Sequence, residues 1–231
     1  VNIDDDFGKR IAIDSTADRV ITYGKSGELS WDGEYSPTGM RVEFSFEGKS
    51  IGTDLSVLSE FEVANIAAAL AAFVSMGHSI DKLSYLLPHL ASVPGRMQKI
   101  PGPKGCPNVI LDYAHTPDAL KLVLRACRHR CEGRLICLIG CGGGRDSGKR
   151  SIMGRVAIEN SDVCYFTSDN PRDEDPLEIL TSISSSISTQ EKRRVNLIID
   201  RSEAIRAAID VGGEKDWVVI AGKGHETTQE I

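Results

Sequence analysis

The stretch Arg134-Leu135-Ile136-Cys137-Leu138-Ile139-Gly140-Cys141-Gly142-Gly143-Gly144-Arg145 is a continuous apolar run that empties into a glycine-rich loop. An apolar run of this length, with no polar alternation, reads as a strand buried on both faces. Similar runs recur at Val109-Ile110-Leu111-Asp112, Val163-Cys164-Tyr165-Phe166, Val195-Asn196-Leu197-Ile198-Ile199 and Trp217-Val218-Val219-Ile220. Helical patterns lie between them, over 117–130, 150–160, 175–187 and 201–211. Regular alternation of buried strands and helices predicts an α/β fold with a mostly parallel sheet covered on both faces. Such sheets bind their ligands beyond the carboxyl ends of the strands.

Upstream of Pro94 to Pro101 the pattern differs. Short strands are expected at Arg19–Tyr23, Met40–Phe46 and Thr53–Val57, the middle one alternating as a half-buried strand does. An Ala-rich helix is expected from Phe61 to Met76, stopped by Gly77, and a second from Ile80 to Leu90. The acidic run Asp4-Asp5-Asp6 reads as a loop, and Lys192-Arg193-Arg194 as a solvated helix end. The domain boundary is placed after Met97, giving 1–97 and 98–231.

The 231 residues carry 27 Lys and Arg against 33 Asp and Glu, a net charge of −6. That balance, with a pI near 5.4, argues against a nucleic-acid backbone binder, which needs a basic face. No apolar run reaches the about 18 residues of a membrane span. The six cysteines form no Cys-x-x-Cys pair, and several lie in apolar strands, as reduced cysteines of a cytoplasmic protein do. Cys127-Arg128-His129-Arg130-Cys131 is a poor metal site, because on a helix residue 129 faces away from its neighbours. The chain opens on Val1 without a leader and stops after a glycine-rich loop, so a fragment of a longer protein is expected.

Polar residues gather at the expected strand ends. After the first strand comes Asp112-Tyr113-Ala114-His115-Thr116-Pro117-Asp118, where Thr116 and Pro117 predict a helix N-cap and first turn. After the second, Gly143-x-x-x-x-Gly148-Lys149 almost fits a phosphate-binding loop, but Arg150 stands where a magnesium-ligating hydroxyl is needed. After the third comes Asp169-Asn170-Pro171-Arg172, a set of acceptors, donors and a cationic fork suited to a zwitterion. After the last comes Ala221-Gly222-Lys223-Gly224-His225-Glu226, whose carboxylate can accept from an ammonium.

Taken in this order, the motifs from Asp112 to Leu120, Gly140 to Gly143, Gly148 to Arg150, Asp169 to Arg172 and Ala221 to Glu226 resemble the Mur ligases of peptidoglycan synthesis. Val93-Pro94-Gly95-Arg96-Met97 matches that family's boundary between central and C-terminal domains. The resemblance covers nearly the whole chain. It implies a Rossmann-like C-terminal domain preceded by the last part of an ATP-binding central domain. It also implies a cytoplasmic, monomeric, ATP- and Mg²⁺-dependent ligase. That enzyme would add meso-diaminopimelate to UDP-N-acetylmuramoyl-L-alanyl-D-glutamate through an acyl phosphate.

Residue by residue, the resemblance assigns Asn65, Arg96, Asp112 and His115 to the nucleotide. It assigns Arg145, Asp169, Asn170, Pro171, Arg172, Gly222 and Glu226 to the amino acid. Arg172 suits the second carboxylate that diaminopimelate has and lysine lacks. Glu62 stands where the family usually carries asparagine. The family's true phosphate loop, UDP-binding domain and carbamylated lysine have no counterpart in this sequence, so the chain alone is expected not to turn over ATP. Two other readings share the architecture. One is a catalytically silent Mur-like scaffold or binding subunit; the other is a ligase acting on folate or building cyanophycin, from which the Asp169–Arg172 motif departs.

Overall fold

The computed structural model describes residues 1–230, which divide into two compact units, Val1–Ser92 and a second that begins at Val93. In the first unit, α1 (Asp6–Asp14) is followed by β1 (Ser30–Ser36), β2 (Gly39–Phe46) and β3 (Lys49–Leu55), an antiparallel sheet in that order. Along β2, Met40, Val42, Phe44 and Phe46 are buried while Arg41 and Glu43 are exposed, the period-2 pattern of a one-sided sheet. The helix α2 (Glu60–Ser75) adds Val63, Ala67, Leu70, Ala71 and Val74 to the same core. Trp31 is buried there beneath the Lys25 ammonium, 3.4 Å from the ring centroid.

Several expectations for this unit change. Residues 19–23 do not form a strand: only Tyr23 bridges, to Asn2 and Leu29. The acidic run is not a loop, since Asp5 caps α1 by accepting from Gly8 N at 2.7 Å and Asp6 opens the helix. The strand expected at 53–57 starts earlier, at Lys49. The helix expected over 80–90 is one α-helical turn, α3 (Ile80–Leu83), then a 3-10 helix over Ser84–His89 that contains Pro88. Proline has no N–H to continue an α-helical ladder.

The second unit holds a six-stranded sheet: β4 (Gln98–Ile100), β5 (Asn108–Leu111), β6 (Leu135–Ile139), β7 (Val163–Phe166), β8 (Val195–Leu197) and β9 (Trp217–Ile220). Their order is β4-β5-β9-β6-β7-β8, and every pairing is parallel except β4 with β5. The helices are α4 (Pro117–Arg128), α5 (Gly148–Asn160), α6 (Pro176–Ser184) and α7 (Arg201–Asp210). On one face, Ala204 and Ala208 of α7 pack with Val109, Ile136, Leu138, Val218 and Ile220. Strand alternation turns Leu135, Cys137 and Ile139 to the other face, where α4 and α5 bury Leu120, Leu124, Met153 and Ala157. Each buried Val, Leu, Ile or Met among them contributes roughly 1.5–3 kcal/mol by leaving water, and each Ala about 0.8 kcal/mol. The α/β, mostly parallel architecture is the one the sequence predicts.

Two details depart from it. The antiparallel edge strand β4 was not expected. Lys192–Arg194 lies in a 3-10 helix, Glu191–Arg194, and Arg194 donates to the carbonyls of Ser161 and Ile158 at 3.1 and 3.3 Å. It therefore closes the carboxyl end of α5 and is not simply solvated. Thr116 does cap α4, accepting from Ala119 N at 3.4 Å with Pro117 at the first position. Among the described residues no helix is long and apolar enough to cross a membrane.

Candidate functional site

The strand order decides which loops meet. The last strand, β9, lies between β5 and β6. Its exit loop, 221–226, therefore sits between the loop after β5 and the glycine loop after β6, with the loop after β7 next in line. Gly222 takes φ +108° and Gly224 φ +50°, left-handed values that favour glycine and let this loop turn back over the sheet edge.

At the end of β5, Asp112 is buried, with both carboxylate oxygens in use. Oδ2 accepts from Met97 N and Oδ1 from Ala114 N, each at 2.7 Å. Its carbonyl accepts from Gly222 N at 3.1 Å and Gly224 N at 3.2 Å. Asp112 thus ties the 95–97 turn and the β9 exit loop to one strand end. Residues 94–97 group with the second unit accordingly. The Arg96 guanidinium stacks over the Tyr113 ring at 4.4 Å. The His115 ring meets Tyr113 edge-on at 4.8 Å, and the His225 ring lies 5.8 Å away. His115 Nδ1 is 2.9 Å from the Tyr113 carbonyl, and Lys149 Nζ donates to the His115 carbonyl at 3.0 Å. These contacts form an exposed cationic and aromatic cluster at the end of β5.

At the end of β6, the glycine loop is bound to the β7 loop. Gly143 N donates to Asn170 O at 2.9 Å, and a Cβ on Gly143 would collide with the Pro171 carbonyl. Arg150, where a phosphate loop would carry a hydroxyl, is buried. It pairs with Glu174 through Nη1 at 2.8 Å and Nη2 at 2.9 Å, and Nη2 also donates to Gly142 O at 3.2 Å. Glu174 accepts from Gly144 N at 2.7 Å as well. The Arg150 hydrogen bonds, then the Gly144 amide, hold the Glu174 carboxyl down at about 2. Beside this staple, burial pushes the Cys141 thiol up to about 11, so it offers no thiolate nucleophile. Arg172 sits at φ +52°, a conformation uncommon outside glycine. Its Nη1 donates to Gly143 O at 2.6 Å.

At the end of β9, Lys223 is buried, and its ammonium gathers the acidic residues. Nζ lies 2.9 Å from Asn170 Oδ1, 3.1 Å from Glu226 Oε2, 3.1 Å from Thr228 O and 3.3 Å from Asp169 Oδ1. Gln229 Nε2 donates to Asp169 O at 2.7 Å and Glu230 N to Asn170 Oδ1 at 3.0 Å, so residues 228–230 lie over these groups. From the α7 side, buried Arg201 donates Nη2 to Ala221 O at 3.0 Å, and its Nη1 has no partner.

The residues predicted for the amino acid fall together here. Asp169, Asn170 and Glu226 converge on Lys223, Pro171 and Arg172 line the β7 loop, and a Cβ on Gly222 would stand 3.4 Å from Asp169 Oδ2. Arg145 is exposed on the glycine loop and makes no side-chain hydrogen bond or ion pair among the described residues. Of the residues predicted for the nucleotide, Arg96 and His115 meet on Tyr113, whereas the Asp112 carboxylate is taken by backbone amides. Asn65 is exposed on α2 of the first unit. Tyr113, Arg150, Arg201 and Lys223 were missed. A lysine flanked by glycines straight after a fully apolar strand is a burial signal for Lys223; nothing local marks Arg201.

Glu62 has a plain structural role. Its Oε2 accepts from Leu58 N at 2.8 Å and Ser59 Oγ at 2.9 Å, while Ser59 Oγ accepts from Glu62 N at 3.4 Å. Ser59-Glu60-Phe61-Glu62 forms a variant of the capping box at the start of α2, in which the Glu62 carboxylate reaches back to Leu58 N, one residue before the cap.

Comparison with known proteins places this arrangement. The UDP-N-acetylmuramoyl-L-alanyl-D-glutamate–2,6-diaminopimelate ligase of Aquifex aeolicus is 41% identical over all of this chain. The chain spans about half the length of the curated relatives it matches, 47% in that case. A solved structure of a ligase of the same description is 36% identical with a TM-score of 0.63, covering 100% of this chain and 48% of that one. The MurF ligase of Thermotoga maritima in complex with ADP, 21% identical, shares the fold at a TM-score of 0.66 over 89% of this chain and 45% of its own. Residues 95–224, most of the second unit, match the Mur ligase, glutamate ligase domain. The chain belongs to the Mur ligase family.

Proposed function

We propose that this chain is part of an ATP-dependent carbon–nitrogen ligase that adds meso-diaminopimelate to UDP-N-acetylmuramoyl-L-alanyl-D-glutamate in the cytoplasm. On this reading residues 1–97 finish the ATP-binding domain and residues 98–231 form the domain that delivers the amino acid, although residues 93–97 pack with the second compact unit. The observation that carries it is that Arg172 follows Asp169 and Asn170 in the β7 loop, its Nη1 3.4 Å from the Asn170 carbonyl, while Asp169, Asn170 and Glu226 converge on Lys223. A guanidinium fork stands beside a set of ammonium acceptors, which matches the carboxylate and ammonium at the far end of diaminopimelate.

In the whole enzyme, ATP would phosphorylate the terminal carboxylate of the UDP-linked dipeptide, giving an acyl phosphate and ADP. The diaminopimelate amine would attack that carbonyl, and the tetrahedral intermediate would expel phosphate as the amide forms. This chain's share is positioning. Arg172, with exposed Arg145 nearby on the glycine loop, binds carboxylate; Asp169, Asn170 and Glu226, which already hold the Lys223 ammonium, keep further lone pairs that can accept from a substrate ammonium. Arg96, Tyr113 and His115 present the cationic, aromatic face to the nucleotide, and Asp112 holds Arg96's turn in place. Among the described residues no three His, Cys, Asp or Glu side chains are grouped to hold a metal ion. Magnesium would arrive with the nucleotide, whose phosphates and a shell of waters supply most of its ligands. The enzyme acts as a monomer on this reading.

Calorimetry of the chain with meso-diaminopimelate and with L-lysine tests the assignment. Preference for diaminopimelate, lost in Arg172→Ala, supports it. Equal affinities in the unaltered chain overturn it.

A further inference from the structure

Lys223 already occupies the acceptors that a substrate ammonium needs. It is 7% exposed, and four oxygens lie within 3.3 Å of Nζ, three of them on Asp169, Asn170 and Glu226. An ammonium has three protons to donate, so Lys223 is saturated. Arg201 stands behind the same carboxylates, also 7% exposed, with one guanidinium nitrogen unpartnered. Burial disfavours its charge, and the fields of Asp169 and Glu226 offset part of that. Two carboxylates are thus matched by two internal cations before any ligand arrives.

That balance has a consequence for selection. A ligand side chain ending in a lone ammonium, as lysine's does, brings an uncompensated positive charge to a set of acceptors that is already neutral and already bound to an ammonium. Like charges brought this close outside bulk water repel strongly. The far end of diaminopimelate carries an ammonium and a carboxylate, so it adds no net charge, and its carboxylate meets Arg172. We infer that Lys223 is a specificity-determining positioning residue, which neutralises Asp169 and Glu226 so that the pocket rejects side chains ending in a bare ammonium. Arg172 selects by attraction and Lys223 by repulsion of the wrong ligand; specific sites use both. This assignment rests on the proposed diaminopimelate reading.

Calorimetry with meso-diaminopimelate and L-lysine on the full 231-residue chain, its Lys223→Met variant and its Lys223→Arg variant tests it. Lys223→Met is expected to narrow the preference for diaminopimelate by about tenfold or more, through tighter lysine binding. Lys223→Arg is expected to keep the original preference. An unchanged ratio in Lys223→Met, or an equal fall in both affinities, overturns the inference. Where Lys223→Met loses cooperative unfolding, Glu226→Gln is the deciding variant. It leaves the set net positive and must weaken lysine more than diaminopimelate; an unchanged ratio there overturns the inference. An unaltered chain that binds both ligands equally instead overturns the diaminopimelate reading itself, which separates the two failures.

Discussion

The Arg150 guanidinium takes both carboxylate oxygens of Glu174, at 2.8 and 2.9 Å, and so locks the glycine loop after β6 to the loop that carries Arg172. A lysine cannot reproduce that fork. Because the folded Glu174 carboxyl lies near 2, below its ordinary 4.5, its stabilisation is fully present above 4.5 and is lost as pH falls toward 2. Arg150→Lys is expected to raise the Glu174 midpoint toward 4.5, seen by NMR titration of its carboxyl and of the Gly144 amide. An unmoved midpoint would show that the pair does not set the charge.

Asp112 is the second tie. Asp112→Asn replaces one acceptor oxygen with an amide group that cannot accept, so either Met97 N or Ala114 N is left without its partner. The expected cost is about 2 kcal/mol, the scale of a buried donor left unpaired. Urea unfolding measures it. The Arg96 turn should loosen too, seen as faster hydrogen exchange at the Met97 amide that Asp112 Oδ2 holds.

Much of this was legible because the signals were local. Leu135–Ile139 read as a doubly buried strand by its length and the glycines after it, and Thr116-Pro117 carried the N-cap and first-turn signal of a helix. The loops after β5, β6, β7 and β9 declared their polar residues outright. The place of β9 between β5 and β6 was not legible, since strand order depends on packing across the whole sheet, and with it went the central position of Lys223. Arg150 spoke against a phosphate loop, but its own role was not legible for a related reason. Its spacing from Gly143 is that of a phosphate loop, while its role depends on Glu174, a partner fixed only by the fold. Edge strand β4 is three residues long and mostly exposed, too short to show a period.

The capping box makes Glu62 separable from any effect on a nucleotide. Glu62→Gln keeps an acceptor for Leu58 N and Ser59 Oγ and should leave thermal unfolding nearly unchanged. Glu62→Ala removes it and should cost roughly 1 kcal/mol, the scale of a lost helix cap. Equal stability of the two variants would deny the box any energetic role.

Gly143 tests whether the two loops must touch. A Cβ there meets the Pro171 carbonyl, with Pro171 Cα at 3.3 Å, so the backbone of one loop has to retreat. Gly143→Ala should cost about 1–3 kcal/mol, as overpacking does. Because Gly143 O also holds Arg172 Nη1 at 2.6 Å, the retreat should displace that guanidinium and weaken diaminopimelate more than lysine. Gly52→Ala is the matched control, since nothing lies within 4 Å of a Cβ at that position and no strain attends it. Thermal unfolding and calorimetry on both variants read the difference. A stable Gly143→Ala that keeps its ligand preference would mean that Arg172 is held by the β7 loop alone.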